Sequence, residues 1–251
     1  MVFIDVHCHL DFYKDDKKID EVVKRAREKN VIMVCNGVGP KRKSNRKVLE
    51  IAEKYEGVNA GLGIYPIDAL EMSDEEFDAE IEFIRENRDK IVAVGEVGID
   101  LKESSDVEKQ RENFVKLVNL ACEIDKVLIV HSRKAPRDAI EVLEGAGAKK
   151  VIMHCFSGKS KFFKRILKNG WHFSVPTNVC YGEQMQSLAR KIPIERILCE
   201  TDSPYLHPER KRNNEPANVI EAYKKIAELK GMSLEDVEKQ IEENYNRLFR
   251  S

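Results

Sequence analysis

Two histidines two residues apart, His7 and His9, follow an aspartate, Asp5, within the first ten residues. On a β-strand alternate side chains share a face, so Asp5, His7 and His9 point one way while Val6 and Cys8 point the other. Imidazoles and carboxylates then recur at the ends of short apolar runs. Glu96 ends "IVAVGE", His131 ends "VLIVH", His154 falls in "VIMHC" and Asp202 lies just past "RILCE". A single buried histidine is more often a hydrogen-bonded core residue than a ligand, so the weight rests on the shared strand-end placement. Imidazole and carboxylate in this ratio suit Zn, Mn or Mg and are unsuited to calcium. Six donors exceed one tetrahedral site and match two divalent ions sharing a carboxylate, a place that falls to Glu96. Two such ions bind a water as hydroxide and clamp the oxygens of a substrate in hydrolysis. Gly95 and Gly98 flank Glu96 and allow close backbone approach, as a tight turn also would. Asp5, one pleat deeper, is expected to orient an imidazole. His172 begins an apolar run and His207 sits in a polar loop, so both stay outside the metal shell.

The elements that must hold these residues are visible as repeated alternation. "VFIDV", "VIMVC", "VNAGLGI", "IVAVGE", "VLIVH", "VIMHC", "WHFSV" and "RILCE" are eight strand candidates separated by amphipathic stretches. Eight is the number that closes a parallel barrel, whose strand ends share one face and carry the chemistry. Val48, Ala52 and Tyr55 form one helical stripe, and Phe114, Leu117, Val118, Ala121 and Ile124 another. Ser73 with Glu76 and Ser233 with Asp236 mark helix starts. Two final helices are expected over 215–229 and 234–249. An open doubly wound sheet would favour a glycine-rich loop after the first strand, and "HCHLDFYKDD" has none. The expected fold is therefore α/β, a (β/α)8 TIM barrel with an additional C-terminal helix, in a single domain over 1–251.

Composition narrows the function classes. The 251 residues carry 43 basic and 44 acidic side chains, a net charge of -1, which argues against a bulk polycation coating nucleic acid or membrane. Six scattered cysteines lack the spacing of a disulfide framework or a zinc knuckle and read as reduced thiols. No cationic leader and no long apolar span is evident, so a cytoplasmic protein without a membrane partner is expected.

The strings "FIDVHCHLD", "GEVGID", "HSRKA", "MHCFSG", "ETDSPYL" and "RNNEPANV", with "NYNRLF" near the end, occur in this order from Phe3 to Phe249. This succession resembles the motifs of the TatD-type metal-dependent deoxyribonucleases, a branch of the amidohydrolase-like barrels. The resemblance implies a (β/α)8 barrel with one or two divalent metals and assigns ligand roles to His7, His9, Glu96, His131, His154 and Asp202. It also implies DNA as the substrate, its phosphodiester bonds hydrolysed, commonly from an end. Two departures stand out. "GIYPID" puts Tyr65 and Ile67 where the family typically has histidines, and Leu101 follows Asp100 where a tyrosine is common.

On this reading Asp202 and Glu96 are the catalytic carboxylates, Asp202 touching a metal and accepting a proton from the bound water. The alternatives are a metal-dependent hydrolase of an amide or carboxylic ester, and a catalytically inactive nucleic-acid-binding barrel; no obligate protein partner is evident. Basic loops "PKRKSNRK", "SRKA", "SGKSKFFKR" and "PERKRNN" follow strands 2, 5, 6 and 8 and are expected to rim the metal face. Arg133 and Lys134, directly after His131 and Ser132, are placed to meet a phosphate.

Overall fold

The computed structural model describes residues 1–40 and 43–250. Its elements are β1 (Phe3–Cys8), α1 (Asp16–Glu28), β2 (Val31–Asn36), α2 (Ser44–Lys54), β3 (Val58–Leu62), α3 (Pro66–Leu70), α4 (Asp74–Glu86), β4 (Ile91–Gly98) and α5 (Val107–Glu123). There follow β5 (Val127–His131), α6 (Pro136–Gly145), β6 (Val151–Met153), α7 (Phe163–Lys168), β7 (His172–Pro176), α8 (Glu183–Lys191), β8 (Ile197–Glu200), α9 (Val219–Lys230) and α10 (Leu234–Phe249). All eight expected strands form, and they lie in one sheet in the order β1 to β8. Pairing is parallel from β1 to β2, β3 to β4 to β5 to β6, and β7 to β8. A parallel bridge from Cys8 to Ser203 makes the first strand a neighbour of the segment leaving the last. The fold is the (β/α)8 barrel, with α10 as the extra C-terminal helix. No helix among the described residues is long and apolar enough to cross a membrane.

The chain divides into two compact units. The first comprises Met1–Cys35, Ile51–Asn59 and His172–Ser251, and the second Asn36–Glu50 and Ala60–Trp171. In the first, β1, β7 and β8 are buried along their whole length, as strands covered on both faces must be. The fully buried Tyr223 of α9 packs its ring edge-on to Phe3 at 5.1 Å, and its hydroxyl meets both Ile4 N (2.9 Å) and Ile4 O (3.2 Å). Asn244 of α10 donates to Ile194 O and Ile197 O, both at 2.8 Å, which fixes the entrance of β8. Ser233 accepts from Asp236 N, the expected start of α10. Helix α9 begins at Val219, four residues later than expected. Pro216 lacks an N–H and forces the residue before it into extended backbone, so Glu215 sits at φ −146° and 216–218 form a 3-10 turn instead. The carboxylate of Glu215 is then free of the helix and grips Arg25 with contacts of 2.6 to 3.0 Å.

In the second unit, the capping box of Ser73 and Glu76 starts α4 as expected. The stripe on α5 is buried from Phe114 to Ala121, while Ile124 caps the helix. Helix α2 has residues in each unit, and its expected stripe is shifted: Val48, Leu49 and Ile51 are buried, whereas Ala52 is half-buried and Tyr55 falls beyond the helix. The two glycines around Glu96 answer to strand packing. Gly98 has φ +146°, and a Cβ there would stand 2.0 Å from the carbonyl oxygen of His131; at Gly95 it would meet Ile129 Cβ at 2.7 Å. Neighbouring β5 dictates both. No disulfide joins any of the six cysteines, and Cys122 alone among them is exposed.

His172 opens β7, buried, with neither ring nitrogen hydrogen-bonded. Burial, then the charges of Arg196 and Arg247, push its pKa down to about 4, so the folded chain keeps it neutral. The unfolded chain binds that proton below about 6.5, so this contribution to stability is complete above that pH and is lost as pH falls toward 4. Urea unfolding should show a loss of about 3 kcal/mol across this window, and His172→Leu should flatten it; an unchanged acid limb in the variant would place the cause elsewhere.

Candidate metal centre

In the first unit, β1 carries His7 to its end and His9 one residue beyond. Their Nε2 atoms lie 3.1 Å apart with the rings edge-to-face, and Asp202 Oδ1 stands 3.6 Å from each nitrogen. Three residues from the two ends of the chain meet because backbone is laced to backbone. Asp202 N donates to His7 O at 2.9 Å and His9 N to Ser203 O at 2.8 Å. Asp5 does not orient an imidazole; it is the clamp of this seam. Its Oδ1 accepts from His7 N (3.2 Å) and Thr201 N (2.9 Å), and its Oδ2 from Thr201 Oγ1 (2.5 Å). Burial pushes the Asp5 carboxyl up to about 8, against the hydrogen bonds from Thr201 and His7. Past the seam Asp202 takes left-handed backbone, φ 54°, which aspartate tolerates better than most residues, and Tyr205 N closes the turn onto Asp202 O at 2.9 Å.

In the second unit, Glu96 Oε1 lies 2.7 Å from His131 Nδ1 and 3.7 Å from His154 Nε2. His131 ends β5, and His154 sits one residue past β6, its N–H donating to Val130 O at 3.0 Å. The other nitrogen of His131, Nε2, is 2.8 Å from Asp100 Oδ2, and Tyr65 donates its hydroxyl to the same oxygen at 2.8 Å. The Tyr65 ring also meets the His131 ring edge-on at 5.2 Å. Asp100 Oδ1 accepts from Lys102 N and Glu103 N. Burial alone would raise the Asp100 carboxyl, but His131 and Tyr65 outweigh it and hold the group well below the usual carboxylate range. Burial alone would lower His131; Asp100 and Glu96 reverse that and raise it. In the sequence Asp100 stands only within a motif, and Tyr65 only where the family typically has a histidine. Tyrosine and aspartate 35 residues apart gave no local signal of their pairing.

The donor chemistry fits a metal in both places. Each cluster offers two imidazoles and one carboxylate, a three-ligand set used by catalytic divalent sites that keep an open position. Two nitrogens each about 2.0–2.1 Å from one tetrahedral ion stand about 3.3 Å apart, close to the 3.1 Å between His7 and His9. The imidazole nitrogens and carboxylate oxygen of Glu96, His131 and His154 lie within 4.8 Å of one another. His172, at the opposite end of its strand, and His207, whose Nδ1 accepts from Glu209 N, take no part.

The family model described as TatD related DNase matches residues 4–250. This chain belongs to the TatD-related DNase family. Among its TatD-family relatives, the deoxyribonuclease TATDN3 of Homo sapiens is 32% identical over 98% of this chain and 94% of its own length. The metal-dependent hydrolase YabD of Bacillus subtilis is 33% identical over 99% of both chains. Among solved structures, the TatD homologue YJJV of Escherichia coli K12 superposes with a TM-score of 0.90 at 25% identity, covering 99% of this chain and 98% of its own.

The basic residues expected around the metal face of this TatD-family barrel are partly engaged. Lys41 and Arg42 lie outside the described residues. Arg133 pairs with Glu103 at 3.3 Å, Lys211 with Glu209, Lys161 covers the ring of Phe162, and Arg210 lies 4.5 Å over the ring of Tyr181.

Replacing the Asp100 carboxylate by an uncharged amide weakens its hold on a ring nitrogen of His131, and groups that orient a ligand imidazole commonly carry 10–100-fold in metal affinity. Asp100→Asn should therefore weaken divalent-ion binding by about tenfold or more, and Tyr65→Phe by less, since Asp100 keeps His131 and two backbone donors. Calorimetric titration of metal into the metal-free chain measures both; equal affinities in the parent and Asp100→Asn would deny the pair this role.

Proposed function

We propose that this chain is a divalent-metal-dependent deoxyribonuclease that hydrolyses phosphodiester bonds in DNA with two ions, one at each cluster, drawn from Zn, Mn and Mg. The observation that carries the reading is the repeated donor set of two imidazoles and one carboxylate at strand ends, in a chain whose relatives are named deoxyribonucleases and metal-dependent hydrolases.

His7, His9 and Asp202 would hold one ion, and Glu96, His131 and His154 the other. Divalent ions at such sites supply Lewis acidity toward a phosphoryl oxygen and lower the pKa of a water. Asp202 is the group that reaches solvent: its side chain is 18% exposed where those of His7 and His9 are 0% and 3%. It accepts the proton of the attacking water as general base, and Asp5 holds Thr201, the residue before it, through both the backbone N–H and the hydroxyl. Glu96 serves the same cluster as both imidazoles around it. Tyr65 and Asp100 hold His131 in one orientation while substrate enters and leaves.

Elemental analysis of the purified protein should give two divalent ions per chain, and Glu96→Gln should lower that count. Asp202→Asn keeps an oxygen toward the imidazoles and removes the base, so turnover of DNA should fall about a hundredfold or more with a much smaller change in affinity. Near-normal turnover in Asp202→Asn would assign the base elsewhere. A panel of amides and carboxylic esters, run beside end-labelled DNA and a simple phosphodiester, decides the bond: turnover of the panel with no loss of DNA label would replace this reading by an amide or ester hydrolase.

A further inference from the structure

Tyr205 is the most exposed aromatic side chain among the described residues, 55% open to solvent. A single exposed tyrosine needs no explanation, but this one does not stand alone. It follows the ligand-type residue Asp202 by three positions, its backbone N–H folded onto Asp202 O. Phe12 follows His9 by three positions in the same way, its N–H donating to His9 O at 3.3 Å. The Phe12 ring stacks on the His9 ring, centroids 4.7 Å apart and 12° from parallel, and meets the Tyr205 ring edge-on at 6.4 Å. The row His9, Phe12, Tyr205 therefore leads from the metal-type cluster outward, and its outer member keeps most of its surface in water. The loop that continues from Tyr205 exposes Arg210, Lys211 and Arg212.

We propose that Tyr205, braced by Phe12, is the stacking face for an unpaired nucleobase adjoining the phosphodiester held at the His7–His9–Asp202 cluster. The proposal rests on the deoxyribonuclease reading above and adds the part of the substrate that is recognised. Every nucleobase has an apolar π-face, and aromatic side chains beside a cationic groove are the usual means of holding a single strand without reading its sequence. A base inside a duplex has both faces covered by its neighbours. Only a single strand, an overhang or a frayed end offers a free face to Tyr205. The exposed arginines and lysine of the 210–212 loop meet the flanking phosphates, which limits the charge needed to a local patch on a chain of net charge -1.

The test compares two substrates of equal length and charge: a single-stranded DNA oligonucleotide, and the same phosphodiester chain built from tetrahydrofuran abasic units without bases. The metal-loaded parent should prefer the base-bearing chain by about tenfold in KM. Tyr205→Ala should collapse that preference toward unity through KM rather than kcat, and Tyr205→Trp should restore it. Fluorescence anisotropy with the labelled oligonucleotides and metal removed by chelation should show the same collapse in Kd, a readout independent of turnover. Equal loss on both chains in Tyr205→Ala would mean that the ring merely shields the cluster, and an unchanged preference would mean that no base stacks there; either result overturns the proposal. A parent that binds the base-bearing chain preferentially through Tyr205 yet cleaves no DNA would leave the platform standing and sink the nuclease reading instead.

Discussion

A seam of backbone hydrogen bonds between β1 and the chain leaving β8 is the constraint on which the first cluster depends. Parallel strands cannot be joined by a tight turn, so neighbouring first and last strands must be sewn by contacts formed late in sequence. Asp5 adds side-chain contacts to these. Its carboxylate, closed to solvent, gathers His7 N, Thr201 N and Thr201 Oγ1, and so sets the relative height of the residues that present His7 and Asp202. A buried carboxyl is costly unless its oxygens are hydrogen-bonded, and here both are used, on the backbone of His7 and Thr201 and on the Thr201 hydroxyl. The same seam fixes the two turns that carry Phe12 and Tyr205.

The second cluster is organised by a different device. Glu96 and Asp100 lie on opposite nitrogens of His131, so the ring is held from both edges and cannot swing. Asp100 is in turn held by Tyr65 and by two backbone N–H groups of the turn that follows β4. The close packing of β4 on β5, which excludes any side chain at Gly98, keeps Glu96 and His131 in reach of each other. Ligand orientation and strand packing are one problem in this unit, and glycine at 98 belongs to its solution.

Surface charge serves other ends. Asp74 and Asp78 of α4 pair with Lys109 and Lys116 of α5, and Arg111 of α5 pairs with Asp138 and Glu141 of α6, so much of the 35% charged composition is spent between neighbouring helices. Exposed pairs of this kind contribute little each. Arg210, Lys211 and Arg212, in the loop after β8, stay exposed beside these pairs.

The sequence by itself determined the alternation of strands and helices, because burial on both faces leaves runs that only buried parallel strands tolerate, and it marked the helix starts at Ser73 and Ser233, because capping is local. It also picked out His7, His9, Glu96, His131, His154 and Asp202 by type and strand-end place. Tertiary structure decided what holds them. The partner of Asp5 is 196 residues away and that of His131 is 31 residues away, distances at which no periodicity or cap carries a signal. The role expected for Asp5 was an imidazole contact because alternation places it beneath His7; the actual role followed from β8 arriving alongside, which alternation cannot express. Gly98 reads the same way: the residue type is visible in the chain, but its reason, the carbonyl of His131 standing where a Cβ would go, exists only once β4 and β5 have paired.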